Sequence, residues 1–157
     1  MSAVELVDAC RRRGLTIATA ESLTAGLVSS SIAEVPGCSA VFRGGVVAYA
    51  TQIKGSVLGL RADDLEHVVS EQVASELARN ACRVLDADLG IATTGVAGPD
   101  PLDGQAPGSV WIAVHERRST RTESRHLLLS GDRATIRQLA TVAAISLAEE
   151  IVARSAT

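Results

Sequence analysis

The chain has 157 residues, enough for one domain with a substantial core. Apolar residues make up 46% and charged residues 21%, which excludes a disordered chain, and a net charge of −3 offers no basic surface to a nucleic-acid backbone. No apolar run reaches the roughly 18 residues of a membrane helix, and the segment before Gly14 lacks the pattern of a signal peptide. We therefore expect a cytoplasmic protein that binds neither nucleic acid nor membrane.

The three cysteines and three histidines lie far apart in the sequence, with no CxxC pair and no Cys/His cluster. This spacing favours neither a disulfide framework nor a zinc site. We expect no metal and no cofactor.

The basic residues are almost all arginine: of 15 Lys and Arg residues, Lys54 is the one lysine. A lysine that only carries charge is readily replaced by arginine, whereas a lysine that loses its proton is not, because arginine stays protonated. Lys54 is therefore a candidate for chemistry. A surface lysine retained by chance is the alternative, and composition leaves both open.

The first half of the chain alternates helical and strand patterns. Apolar residues at helical spacing predict a helix over 3–13 that ends at Gly14 in the left-handed conformation. The Ile- and Thr-rich segment 15–20 predicts a buried strand, and a helix over 22–35 follows it. A second strand is predicted over 42–50.

The second half begins with a short helix over 51–58 that Thr51 caps, and Ser70 caps an amphipathic helix. A strand over 88–95, a Gly- and Pro-rich loop and a hairpin follow, and the last helix runs over 132–153. The hairpin strands are predicted over 109–116 and 120–129. The predicted apolar faces of the two long helices are Val73, Leu77, Ala81 and Val84, and Ile136, Ala140, Ala143, Leu147 and Ile151.

Single strands that alternate with helices indicate an α/β fold, and the hairpin makes the sheet mixed. No repeat, linker or low-complexity tract divides the chain. We therefore expect one domain over residues 1–157, a layered α/β/α sandwich.

Polar residues cluster where the first two strands end. Ser22 and Thr24 lie between a strand and a helix, where amides can hold an anion or an oxyanion; ordinary helix capping is the alternative. Tyr49 lies at the end of the next strand and Lys54 in the helix that follows it, and a neutral lysine beside Ser22 activates a hydroxyl. To act near pH 7, Lys54 needs a pKa about 3 below its usual value of roughly 10.4, which partial burial can supply. A core Tyr49 with an exposed Lys54 is the alternative.

Two further clusters lie later in the chain. Thr94, Gly95 and Gly98 end the third strand, where glycines allow close backbone approach to a ligand; a tight turn is the alternative. Arg133 and Arg137, one helical turn apart, suit a phosphate, and a solvated helix face is the alternative. Because functional loops gather at the carboxyl ends of the strands in α/β sheets, we expect the clusters to converge.

Six segments, in this order, resemble the C-terminal domain of the competence/damage-inducible protein CinA. Stand-alone members of that family are nicotinamide mononucleotide amidases, and the resemblance spans nearly the whole chain. The segments are TAESLTAGL (19–27), VVAYATQIKGSVLGL (46–60), VSEQVASELA (69–78), TTGVAGPD (93–100), PGSVWIAV (107–114) and SGDRATIR (130–137).

The resemblance implies hydrolysis of nicotinamide mononucleotide to nicotinic acid mononucleotide and ammonia, without a metal. It implies Ser22 as nucleophile, Lys54 as general base, and Tyr49 as a residue that relays the proton or orients the pair. We expect amides at the start of the helix over 22–35 to form the oxyanion hole. The expected substrate-binding residues are Thr24, Thr94, Gly95, Gly98, Arg133 and Arg137.

The chain departs from the family pattern in one loop. Where many members have Lys-Pro-Val-Gly, this chain has Gln105-Ala106-Pro107-Gly108, and Ala25 replaces a glycine found in some members. The missing lysine keeps two alternatives open: a non-catalytic nucleotide-binding or interaction module of the same fold, and an amidase for a related carboxamide. The resemblance and the Ala-rich helices also lead us to expect a homo-oligomer.

Overall fold

The computed structural model describes residues 2–154, which form a mixed sheet with helices on both faces. The helices are α1 (Ala3–Arg13), α2 (Leu27–Ala33), α3 (Thr51–Ser56), α4 (Glu71–Leu85) and α5 (Arg133–Arg154), with 3-10 turns at Cys38–Ala40 and Asp63–Leu65. The strands are β1 (Ile17–Glu21), β2 (Phe42–Val47), β3 (Leu89–Gly95), β4 (Ser109–Glu116) and β5 (Arg121–Leu128).

The strand order is β2-β1-β3-β4-β5, in which β1 pairs in parallel with both β2 and β3. The β4–β5 hairpin continues the sheet in the antiparallel direction from β3. The α/β class, the mixed sheet and the single domain predicted from the sequence are therefore confirmed. Because β1 and β3 are parallel neighbours, the segments that follow them emerge at the same edge of the sheet.

The two faces of the sheet are packed with side chains of different size. On one face, α1, α2 and α5 cover branched residues such as Ile17, Ile91 and Ile112. On the other face, α4 lies against alanines, among them Ala18 and Ala92. The small side chains let α4 approach closely: a Cβ added at Gly90 would lie 2.0 Å from the carbonyl oxygen of Ala78.

Several predicted ends of helices and strands are confirmed, and others differ in the structure. Gly14 ends α1 with φ 59°, and the Ser70 hydroxyl accepts from the amide of Val73 at the start of α4, as expected. The helix predicted over 22–35 begins at Leu27, because residues 22–26 form turns around a buried carboxylate described below. The strand predicted over 42–50 ends at Val47.

Two smaller expectations were wrong. Thr51 is the first residue of α3 and not its cap; the cap is Ala50, which makes no side-chain hydrogen bond. Val84 is exposed on the outer side of α4, whereas Ala143 packs against the core as predicted. Among residues 2–154, no helix combines the length and the apolar character that crossing a bilayer requires.

Candidate active site

The carboxyl ends of β1 and β3 border an open cleft of about 360 Å³, within the size range of small-molecule sites. Ser22 follows β1 directly, Gly95 ends β3, and Val96–Pro99 follow it. Tyr49 and Arg133 line the same cleft from the segment after β2 and from the first residue of α5. The convergence expected from the strand order is therefore present for part of the predicted set.

Lys54 and Ser22 form the central contact of the site. The side-chain nitrogen of Lys54 lies 3.1 Å from Ser22 Oγ, and it donates to the carbonyl oxygens of Ala48 at 2.8 Å and Tyr49 at 3.4 Å. The first turn of α3 carries Lys54 inward, so that only 1% of the residue is exposed. The alternative of an exposed Lys54 is thereby excluded.

The surroundings of Lys54 disfavour its charge. None of the ion pairs described over residues 2–154 includes this amine. Its three hydrogen-bond partners are neutral oxygens, those of Ser22, Ala48 and Tyr49. Burial lowers the pKa of Lys54 from 10.5 to about 8. At pH 7 about a tenth of the amine is therefore uncharged and able to accept a proton, far more than for a lysine with its ordinary pKa.

Tyr49 occupies a different position from the one expected for a proton relay. Its side chain is 55% exposed, and its hydroxyl accepts from the guanidinium of Arg133 at 2.6 Å. Its backbone carbonyl, rather than its hydroxyl, contacts Lys54. The core position considered as an alternative for Tyr49 is also excluded.

Thr24 and Thr94 are both fully buried, and neither side chain lines the cleft. The Thr24 hydroxyl contacts Glu21 and Thr93 at 2.7 and 2.8 Å. The Thr94 hydroxyl donates to the carbonyl of Val68 at 2.6 Å. Their hydroxyls are therefore committed inside the protein, and direct side-chain contact with substrate does not fit this geometry.

Gly95 and Gly98 do line the cleft. A Cβ at Gly95 would lie 2.8 Å from the backbone of β4, so close strand packing requires glycine there. Gly98 has φ 87°, and its carbonyl accepts from Arg133. Both residues shape the wall through their backbones, as expected for close approach of a ligand.

The two arginines predicted to share a phosphate make different contacts, and only one of them lines the cleft. Arg133 lies at the cleft, between Tyr49 and Gly98. Arg137 instead donates to the carbonyl oxygens of Leu23 and Thr24 at 2.9 and 3.0 Å. Arg137 thus braces the turn that carries Ser22 and does not line the cleft.

Sequence reasoning missed Glu21, which lies immediately before Ser22. Its side chain is 1% exposed, and its two oxygens accept from the hydroxyl of Thr24 and from the amides of Gly26, Val28 and Ser29. The amides of Gly26, Val28 and Ser29 are therefore occupied and cannot serve the predicted oxyanion hole, whereas the amide of Leu23, near the predicted helix start at residue 22, is not among the donors to Glu21. The signal in the sequence was a carboxylate at the end of an otherwise uncharged buried strand.

Residues 1–152 match the family model of the CinA C-terminal domain. The chain belongs to the CinA C-terminal domain family. A competence-damage inducible protein of Geobacillus kaustophilus is 47% identical over 133 residues, which cover 83% of this chain and 32% of that protein. A CinA-like protein of Frankia casuarinae is 42% identical over 90% of this chain and 33% of its own length. The chain thus spans about a third of the curated relatives it matches.

Solved structures of CinA proteins have the same fold. A CinA superfamily protein of Klebsiella pneumoniae superposes with a TM-score of 0.92 at 29% identity, covering 97% of this chain and 96% of that one. A competence/damage inducible protein of Agrobacterium tumefaciens gives 0.84 at 28% identity, with 94% of both chains covered.

Gln105, the residue that departs from the CinA pattern, is paired through its backbone with the cleft residue Leu102 but does not itself line the cleft. Its side chain accepts from the hydroxyl of Ser109 at 2.9 Å. Over residues 2–154, no group of three or more His, Cys, Asp or Glu residues is arranged to hold a metal ion.

Proposed function

We propose that this chain is an amidase that hydrolyses the carboxamide of nicotinamide mononucleotide to nicotinic acid mononucleotide and ammonia. The observation that carries the proposal is the 3.1 Å contact between Ser22 Oγ and a buried Lys54 amine that has no carboxylate partner. This is the arrangement that a serine nucleophile with a lysine base requires.

The geometry assigns a role to each bond of the amine. A neutral amine has two N–H bonds and one lone pair. When the carbonyls of Ala48 and Tyr49 accept the two N–H bonds, the lone pair faces Ser22. Lys54 then takes the hydroxyl proton while Ser22 Oγ bonds to the carboxamide carbon.

The proton on Lys54 next passes to the departing nitrogen, so that ammonia leaves and an ester remains on Ser22. Water hydrolyses this ester, with Lys54 accepting the water proton and returning a proton to Ser22. The products are the carboxylic acid and the free enzyme, so that atoms and protons balance.

The oxyanion needs donors other than the amides of α2. Leu23 and Ala97 line the cleft, and within residues 2–154 their backbone amides have no acceptor. We assign these two amides to the oxyanion. At the mouth of the cleft, the guanidinium of Arg133 is exposed and suits the substrate phosphate.

The test is ammonia release from nicotinamide mononucleotide by the purified protein, with Ser22→Ala and Lys54→Arg measured beside it. Activity in the parent that disappears in both variants supports the amidase and the pair. Binding of nicotinamide mononucleotide without ammonia release would favour a non-catalytic module. Ammonia release from another carboxamide, but not from nicotinamide mononucleotide, would support the proposed reaction and change the proposed substrate.

The homo-oligomer and the cytoplasmic location stay predictions. Leu139 and Val142 expose 42% and 56% of their surface, and they lie three residues apart on α5, so they supply an apolar face for a second copy. Sedimentation velocity of the parent and of Val142→Glu tests it: a shift to monomer supports self-association through α5.

A further inference from the structure

Glu21 holds the segment that carries Ser22 through both of its oxygens. One oxygen accepts from the Thr24 hydroxyl at 2.7 Å and from the amides of Gly26 and Val28 at 2.9 and 3.0 Å. The other accepts from the amide and hydroxyl of Ser29 at 2.8 and 2.7 Å. A carboxylate can accept such bonds at both oxygens, whereas the amide of glutamine accepts only at one.

These bonds fix the backbone on both sides of Ser22. Glu21 belongs to β1, and its partners Thr24, Gly26, Val28 and Ser29 belong to the following turn and to α2. Ser22 itself donates its amide to the carbonyl of Thr93 at 3.1 Å. The position of Ser22 Oγ relative to Lys54 therefore depends on the bonds that this turn makes with Glu21, together with those that Arg137 donates to its carbonyls.

We propose that Glu21 is a positioning residue that holds Ser22 Oγ against the Lys54 amine. Among residues 2–154, no hydrogen bond joins the Glu21 side chain to Lys54, and Glu21 does not line the cleft, so it acts through the backbone of the turn. The proposal rests on the proposed function for its rate measurement, and it has a second readout that requires no turnover.

The informative variant is Glu21→Gln, because it keeps the size of the side chain and removes the acceptor at one oxygen. Its NH2 group then faces N–H or O–H donors, so that part of the turn is released. Glu21→Asp is the second variant. It keeps both acceptors and withdraws them by one methylene, which covers the case in which Glu21→Gln fails to fold.

Asp88 offers a matched control at the opposite end of the same strands. Its carboxylate accepts from the amide and the hydroxyl of Thr16, both at 2.9 Å, where β1 and β3 begin. Asp88→Asn makes the same chemical change far from Ser22. A purely structural role for Glu21 predicts equal consequences for Asp88→Asn and Glu21→Gln.

The turnover-free readout uses the single lysine of the chain. Lysine labelled with ¹³C at Cε gives one side-chain NMR signal, from Lys54, whose pH titration is followed in the parent and in Ser22→Ala. The two titrations should differ, because the amine contacts Ser22 Oγ. In the Glu21→Gln background, adding Ser22→Ala should leave the titration unchanged, whereas in the Asp88→Asn background the difference should persist.

The rate readout is ammonia release from nicotinamide mononucleotide. We expect kcat to fall about 100-fold in Glu21→Gln, as for a misplacement near 1 Å, with KM little changed and with full activity in Asp88→Asn. Persistence of the Ser22 effect on Lys54 in the folded Glu21 variants overturns the proposal. If the parent releases no ammonia but the NMR difference vanishes in Glu21→Gln, the positioning role stands and the proposed function fails.

Discussion

The fold affects two ionisable groups, Asp88 at one end of the sheet and Lys54 at the other, in opposite ways. At the amino end of β1 and β3, Asp88 is bonded to Thr16 and paired with Arg118 at 3.1 Å, and hydrogen bonds to Thr16 help lower the pKa of its carboxyl. At the carboxyl end, Lys54 is buried with neutral oxygens as partners, and its pKa falls to about 8. The hydrogen bonds and the ion pair of Asp88 stabilise its ionised form. Burial without a charged partner destabilises the ionised form of Lys54.

The contrast separates stability from reactivity within one fold. Ion pairs at the amino end hold their groups in the ionic forms that dominate at neutral pH, so these groups do no acid–base work. Lys54 is kept close to its point of deprotonation, which is the condition for a base that acts near neutral pH. Four changes test this contrast.

Replacement of the base should have the largest effect. Arginine stays protonated, so Lys54→Arg should reduce kcat for ammonia release by about 1000-fold, within the range of lost general-base catalysis. Lys54→Met, which has no charge to bury, is the companion variant. Near-parent activity in either variant contradicts the base assignment.

Removal of the buried amine should also change stability in a pH-dependent way. The folded pKa of about 8 lies below the ordinary 10.5, so the unfolded chain binds the proton more tightly, and the unfolding free energy of the parent rises between these two values. Below pH 8 the charged amine lowers the unfolding free energy by its full amount, roughly 3 kcal/mol for this difference in pKa. Lys54→Met should therefore be more stable than the parent in urea at pH 7, by up to about 3 kcal/mol, and this advantage should shrink towards pH 10.5. A variant less stable at pH 7 would be the contrary result.

Removal of the arginine at the cleft should affect binding alone. Arg133→Ala should raise KM for nicotinamide mononucleotide about tenfold with little change in kcat, the signature of lost binding common to ground and transition states. Nicotinamide riboside, which lacks the phosphate, is the matched substrate and should be used equally by parent and variant if it is accepted at all. A fall in kcat for both substrates would place Arg133 in the chemistry.

The smallest effect is expected at the other end of the sheet. Arg117 donates to Asp86 at 2.7 Å, and both side chains are exposed, so solvent screens the pair. Arg117→Ala should leave the urea midpoint and the ammonia-release rate within error of the parent. A clear loss of activity would show that charges at the two ends are coupled.

The sequence brought Ser22 and Lys54 forward as candidates, because Lys54 is the one lysine, both residues lie near predicted strand ends, and the resemblance to the CinA family implies a joint role for them. The helix and strand types were also predictable from periodicity, since each long element has a clear apolar face. Where elements end was less predictable: α2 begins five residues after its predicted start because Glu21 binds its amides.

The sequence did not predict which side chains at the strand ends point into the cleft. Thr24 and Thr94 were indistinguishable from Ser22 as polar residues near strand ends, yet both donate inward and only Ser22 reaches the cleft. Arg133 and Arg137 share a helical spacing, but tertiary contacts send one to the cleft and the other to the backbone of Leu23. Such choices depend on partners distant in sequence.

Gly45 on β2 adds a constraint that extends beyond the cleft. A Cβ there would lie 2.2 Å from the hydroxyl oxygen of Thr19 and 2.3 Å from that of Ser29, two hydroxyls that are 2.6 Å apart. Ser29 is a partner of Glu21, so a methyl group on the edge strand would disturb the carboxylate that precedes Ser22. The geometry around Ser22 therefore constrains a residue without a functional group, and a saturation library should tolerate almost nothing but glycine at position 45.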